Sequence, residues 1–224
     1  MSIDGDVNIV IADDSPFIRT AYQRILETQY NFSVVAVAED GEQAIEKVTE
    51  LQPDVLVIDV RMPKLDGIEA SKIIREKFPN ISLVVVSGHD DVDLVLSLFE
   101  DFTGSKAYIQ KNSLDDVGEL IRVVELSLDG KVVLDINIVS KLISSYKIKY
   151  KDSDNILLDN ELEILSLYAN GFDENYISDE IQKDVEEVNK LIDNITSKFN
   201  IKKSENINLQ ASITLSFIAS CIEK

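Results

Sequence analysis

Five short runs of apolar, largely β-branched residues punctuate the first 128 positions: VNIVIA (7–12), FSVVAVA (32–38), DVLVID (54–59), ISLVVVS (81–87) and AYIQ (107–110). Four of the five are almost unbroken, the pattern of strands covered on both faces of a parallel sheet. The segments between them change period. In 41–51, Ala44, Ile45, Val48 and Leu51 fall at helical spacing, and in 66–78, Ile68, Ile73, Ile74 and Phe78 make a second stripe. This repeated strand–helix alternation predicts an α/β, doubly wound, five-stranded parallel sheet over 1–128.

Beyond Asp129 no strand-like run of comparable strength follows. Residues 136–146 (INIVSKLISSY) read as a helix behind an Asp135 N-cap, with Ile136, Val139, Leu142, Ile143 and Tyr146 on one side. The polar, lysine-rich YKIKYKDSDN (146–155) reads as linker. Residues 156–224 read as a second, smaller all-α domain of four helices. Gly171 is placed to end one helix, and Asp173 and Asp184 to cap the next two. The expected organisation is therefore a domain at 1–128, a linker at 129–155 containing helix 136–146, and a helical domain at 156–224.

With 224 residues and 45% hydrophobic content, the chain has material for two small cores. Forty-one acids against 22 bases leave a net charge of −19. Such a field repels nucleic acid and anionic membrane unless cations cluster locally. Cys221 is the single cysteine, which removes an intramolecular disulfide or a cysteine zinc site and suits a reducing, cytoplasmic setting. The N-terminus begins MSIDGDVNIV, without a basic leader, and the apolar stretch 213–222 is too short to span a bilayer. A membrane partner is not expected.

The chemistry lies at the strand ends, where an open parallel sheet places its ligands. Asp13 and Asp14 follow the first run, Asp59 ends the third, Ser87 the fourth, and Lys111 follows the fifth. Three carboxylates converging on one edge repel unless a cation joins them, and their hard oxygens suit Mg²⁺. A carboxylate can accept a phosphoryl group as an acyl phosphate, with a lysine and a hydroxyl holding the remaining phosphoryl oxygens. The spacing points to phosphoryl chemistry.

The stretches IVIADDS (9–15), LVIDVRMPKLDG (56–67), VVVSGHDD (84–91) and AYIQK (107–111) resemble the receiver domains of two-component response regulators, over about 1–128. The resemblance implies Asp59 as phosphoacceptor, and Asp13, Asp14 and Asp59 as Mg²⁺ ligands together with the backbone carbonyl of Arg61. It also implies Ser87 and Lys111 as phosphoryl contacts, Tyr108 as a switch aromatic, and Pro63 and Gly67 as shapers of the loop after the acceptor. His89, the single histidine, reads as an exposed loop residue. Two departures stand out. The distance from Ser87 to Lys111 is longer than in typical relatives, which places an insertion near FTGSK (102–106). The segment DVDLVLSLFEDF (91–102) carries more apolar residues than one buried stripe needs, so its surplus face is expected to form a dimer or to dock on the second domain.

Residues 157–218 resemble the LuxR-type helix-turn-helix output of NarL/FixJ regulators through LDNELEILSLYANGF (158–172), NYISDEI (175–181), VEEVNKLIDNITSKFNIKK (185–203) and ASITLSFI (211–218). The scaffold is kept: Leu162, Leu165, Ile177, Ile181, Val188, Ile192, Ile195 and Phe199 fall at core positions. The DNA-reading positions are not. Glu187, Asn189, Leu191 and Asp193 stand where the family offers Thr, Lys, His and Arg, Asp179 and Glu180 replace bases, and Gln182 and Lys183 replace a Gly and an apolar residue in the turn. Residues 156–224 hold 13 acids, six lysines and no arginine. Phosphate binding draws on Lys and Arg, and guanine reading on Arg, so direct DNA contact is disfavoured. Lys198, Lys202 and Lys203 form the basic cluster at the expected phosphate edge. A solvated helix end at the macrodipole's negative pole accounts for them equally well.

These features imply a response regulator phosphorylated on Asp59 by a cognate histidine kinase in Mg²⁺. It would control gene expression through phosphorylation-dependent homodimerisation or domain rearrangement. Within a phosphorelay it is a signalling protein, catalysing only its own phosphoryl transfer and autodephosphorylation. Two outputs stay open: DNA, or a protein–protein interaction in which the acidic domain meets a basic partner.

Overall fold

In a computed structural model of the chain, which describes residues 5–88, 91–99, 104–115, 117–151, 153, 156–202 and 208–222, the apolar runs pair in parallel as the pattern requires. The chain divides into two units, residues 1–90 with 101–130, and residues 91–100 with 131–224. The first contains β1 (Val7–Ala12), α1 (Pro16–Leu26), β2 (Phe32–Ala38), α2 (Gly41–Leu51), β3 (Val55–Asp59), α3 (Gly67–Lys77), β4 (Ser82–Ser87), β5 (Lys106–Gln110) and α5 (Val117–Leu128). Its five strands lie in the order β2-β1-β3-β4-β5, all parallel. Every residue of β3, β4 and β5 is buried, while the edge strand β2 leaves Ser33, Val35 and Val37 exposed. An edge strand lacks a neighbour on one side, which is why FSVVAVA, apolar apart from Ser33, is only half covered.

The elements begin where local chemistry dictates. Ser15, Asp40 and Asp66 cap α1, α2 and α3 through side-chain oxygens that accept from Ile18, Gln43 and Glu69 N–H, and Pro16 opens α1 at its first position. Ahead of β5, Arg75 donates to the Pro79 carbonyl at 2.6 Å and to the Ser105 carbonyl at 2.8 Å; Phe102 and Thr103 of the expected insertion near 102–106 lie outside the described residues. Gly104, at φ +66°, lies so close to this guanidinium that a Cβ would meet Nη1 at 2.3 Å.

The second unit contains α4 (Val92–Leu98), β6 (Val132–Leu134), α6 (Ile136–Tyr150), α7 (Asp159–Ala169), α8 (Glu174–Ile181), α9 (Val185–Lys198) and α10 (Leu209–Ile222). Two features differ from the sequence expectation. A sixth strand, β6, is present. Its backbone is satisfied in part by the Gln210 side chain, which accepts from Val132 N–H at 3.1 Å and donates to the Val132 carbonyl at 2.7 Å. The helix from Ile136 continues through residues expected to be linker, because Tyr146 and Tyr150 extend its stripe. Their rings lie 4.6 Å apart, and Tyr150 Oη donates to the Ser220 carbonyl at 3.1 Å. The apolar α4, whose surplus face was expected to form a dimer or to dock on the second domain, groups with the second unit and lies against α6. Val95 and Leu98 of this apolar segment are buried.

Of the core positions implied by the resemblance, Leu162, Leu165, Ile177, Val188, Ile192 and Ile195 are buried, and Ile181 and Phe199 are half-buried. Asp173 and Asp184 cap α8 and α9, accepting from Tyr176 and Glu187 N–H at 2.8 and 2.7 Å. Gly171 follows α7 at φ +92°.

Candidate functional site

The C-terminal ends of β1, β3, β4 and β5 form one edge. After β1, the Asp13 carboxylate accepts from the Ser15 N–H at 2.9 Å, a turn that buries Asp13 and leaves Asp14 exposed. Arg19, in α1, donates to the Asp13 carbonyl at 2.6 Å and fixes the same loop. Asp59 ends β3 and is 5% exposed. The chain leaves it through a tight path in which Gly67 N–H donates to the Val60 carbonyl at 2.9 Å. A Cβ on Gly67 would lie 1.9 Å from the Asp59 carbonyl oxygen, so the expected role of this glycine has a steric basis. Lys64, at φ 62°, sends its ammonium to the Asp40 carboxylate at 2.5 Å and ties this loop to the start of α2.

Asp13, Asp14 and Asp59 each offer a carboxylate oxygen within 4.8 Å of the others. Lys111, at the end of β5, donates to Asp13 at 2.8 Å and lies 3.1 Å from an Asp59 oxygen, so one ammonium bridges the two buried acids. Burial pushes the Asp59 carboxyl above the ordinary aspartate value, and the Asp13 charge adds to this, while Lys111 and the Arg61 N–H pull it down. Burial alone lowers the Lys111 ammonium; its bonds to Asp13 and Asp59 outweigh that and hold it above the ordinary lysine value. Tyr22, buried in α1, is pushed up by its burial and then by the Asp13 and Asp59 charges. Tyr22 and Arg19 escaped the sequence reading because a helix stripe does not reveal which member reaches a strand end.

Ser87 ends β4 beside Val86, which pairs with Asp59 across the sheet, and is fully buried. Tyr108 stands opposite Val85 and is fully buried as well. Arg61 is exposed; its N–H serves Asp59. His89 lies outside the described residues. The donor set is oxygen-only and anionic, which fits a hard divalent cation rather than a soft one.

The second unit places its expected site residues differently. Lys198 turns inward: its ammonium donates to the Glu161 carboxylate at 2.6 Å and to the Ile156 carbonyl at 2.9 Å, and the Glu161 side chain is 2% exposed. Glu161 also accepts from the Leu158 N–H at 2.7 Å, so it caps α7 while it holds Lys198. Lys198 therefore joins the end of α9 to the start of α7 and is not presented as a surface phosphate contact. Lys202 is exposed, and Lys203 lies outside the described residues. Glu187, Asn189 and Asp193 are exposed on α9 and Leu191 is buried. Gln182, where the family turn carries glycine, adopts φ 55° and ends α8 in the left-handed conformation.

Residues 9–125 match the family model of the response regulator receiver domain. The chain belongs to the response-regulator family and is of the NarL/FixJ type, a signalling family in which the receiver precedes a helical domain. It is 33% identical over 205 residues to the oxygen regulatory protein NreC of Staphylococcus haemolyticus, covering 88% of this chain and 92% of that one. It is 29% identical over 215 residues to the transcriptional regulatory protein DegU of Brevibacillus brevis, covering 88% and 89%. Among solved structures, the RcsB response regulator of Salmonella typhimurium shares the fold with a TM-score of 0.55 at 23% identity, covering 97% of this chain and 100% of that one. That structure is described in terms of conformational dynamism for DNA interaction. Among the described residues no helix is long and apolar enough to cross a membrane.

Proposed function

We propose that this chain is a phosphorylation-switched regulator of gene expression in the cytoplasm, with Asp59 as phosphoacceptor. The observation that carries the reading is the convergence of Asp13, Asp14 and Asp59 within 4.8 Å, with Lys111 bridging two of them. In the transfer, an Asp59 oxygen attacks the phosphorus of a phosphohistidine on the cognate kinase. The O–P bond forms as the P–N bond breaks, and the histidine leaves as neutral imidazole because its other ring nitrogen already carries a proton. A Mg²⁺ held by Asp13, Asp14 and the Arg61 carbonyl would supply positive charge for the phosphoryl oxygens. Lys111, released from part of its carboxylate pairing, and Ser87 hold the remaining phosphoryl oxygens, and Tyr108 in the next strand reports the change. Homodimerisation or domain rearrangement then carries the signal to the helical domain.

The test is phosphoryl uptake from acetyl phosphate in Mg²⁺, read by intact mass. Wild type gains one phosphoryl group and Asp59→Ala gains none. Continued labelling of Asp59→Ala would place the acceptor elsewhere.

For the output, RcsB supplies a DNA-interaction precedent on the same fold. The exposed acids of α9 favour the second reading, contact with protein. Anisotropy of random-sequence duplex DNA at low salt, with and without beryllofluoride, separates the two. Salt-sensitive binding that appears with the mimic supports a DNA output, and silence in both states removes it.

A further inference from the structure

The exposed side of α8 and α9 combines carboxylates with an aromatic platform. Residues 173–198 hold eight acids and three lysines. Of those lysines, Lys198 is bound to Glu161, Lys183 to Glu187, and Lys190 to Glu186 at 3.2 Å, so the cations are already matched within the domain. Asp179 and Glu180 fall three and four residues after Tyr176 and share its side of α8, with the Asp173 cap three residues before it. Tyr176 is 45% exposed, yet its ring is held by stacking on Phe172, with centroids 4.0 Å apart and planes 11° from parallel. A fixed, solvent-facing ring flanked by carboxylates suits a guanidinium or ammonium, which gains ring-face attraction and ion pairing together.

We infer that this α8–α9 face docks an arginine- and lysine-rich segment of a partner protein. Charge decides the occupant. A phosphate backbone meets like charge here, and so does a second copy of a chain whose net charge is −19. A basic polypeptide meets complementary charge and supplies side chains long enough to lie on the Tyr176 ring. The inference rests on the proposed function only in taking α8–α9 as the output surface; it does not depend on Asp59 accepting a phosphoryl group.

The experiment titrates a fluorescein-labelled arginine/lysine peptide, and separately a random-sequence duplex, with the full chain, unloaded and beryllofluoride-loaded. A face variant, Asp179→Asn with Glu186→Gln and Glu187→Gln, is compared with a control of equal charge change on the exposed acids of the first unit, Glu42→Gln with Glu46→Gln and Glu76→Gln. The expected result is peptide binding in at least one state, weakened roughly tenfold by the face variant and less than about twofold by the control. Tyr176→Ala is expected to weaken binding by about threefold to tenfold. Equal losses in the two triple variants would show attraction by net charge alone and overturn the inference. Absence of peptide binding, or tighter binding of the duplex, would overturn it as well. Failure of the acetyl phosphate assay with peptide binding intact would remove the phosphoacceptor and leave this surface standing.

Discussion

The two units handle negative charge in opposite ways. In the first, Asp13 and Asp59 are buried, converge with Asp14 at one sheet edge and share a single ammonium. In the second, Asp179, Glu186, Glu187 and Asp193 are exposed and spread along two helices. Buried, convergent carboxylates cannot be relieved by water, so their repulsion is available to a cation or to chemistry at that point. Dispersed, solvated carboxylates are each screened and cost little, and what they produce is a field that selects partners. Equal residue types thus yield a reactive centre in one place and a recognition surface in the other. The deciding variable is burial.

If burial decides, removing the cation from the convergent set should have the largest effect. Lys111→Met leaves Asp13 and Asp59 buried without their ammonium, and should cost about 3 kcal/mol of stability in metal-free buffer. Added Mg²⁺ should restore a substantial part, because a divalent ion replaces the missing charge. Denaturant unfolding with EDTA and with millimolar Mg²⁺ measures both numbers. An unchanged midpoint in EDTA would show that the carboxylates do not strain one another.

The same logic applies to a buried acid of the second unit. Glu161 has a side chain only 2% exposed, and Lys198 is its counterion. Lys198→Met should cost about 2 kcal/mol, with the Leu158 cap bond offsetting part of the loss. Thermal unfolding would detect it, and duplex or peptide binding should change little. If nucleic-acid affinity fell instead while the melting point held, Lys198 would be a surface contact after all.

Much of this was legible in the sequence, because it is written in local signals. Strands announce themselves as apolar runs, and caps such as Asp135, Asp173 and Asp184 sit beside the helices they begin. The acid site could be read because each participant follows a strand end in order. The unread parts depend on partners distant in the chain. A three-residue strand such as β6 has no period of its own, and Gln210, which satisfies Val132, lies 78 positions away. The lysines of YKIKY suggested linker, whereas the helix there continues on Tyr146 and Tyr150. Glu161 and Lys198 are 37 residues apart, and spacing alone could not distinguish an inward lysine from a surface one.

An intermediate case lies at the α2 N-terminus. The Asp40 carboxyl is held below the ordinary aspartate value, first by its bond from Lys64 and then by the Gln43 N–H, against the cost of burial. Its folded-state pKa is thus below the unfolded one. The stability it contributes is complete above the unfolded value of 3.8 and is lost as pH falls through the lower folded value. Asp40→Asn should cost about 1 kcal/mol near neutrality, since asparagine still caps but loses the ion pair. The gap between wild type and variant should close below pH 3.8, measured by urea unfolding across the acid range. A gap that widens on acidification would reverse the sign of the assigned shift.

The smallest effect should come from the dispersed set itself. Glu186 and Lys190 pair at 3.2 Å along α9, with side chains 82% and 71% exposed. Lys190→Met removes this cation much as Lys111→Met removes the other, and Met is nearly as good a helix former as Lys. Water screens the carboxylate left behind, so the change in stability should stay below about 0.5 kcal/mol. Its consequence should appear in recognition instead: the α9 face becomes more negative, and affinity for a basic peptide should rise slightly and grow more sensitive to salt. A stability loss approaching that of Lys111→Met would break the comparison, because exposed and buried carboxylates would then depend on their counterions alike.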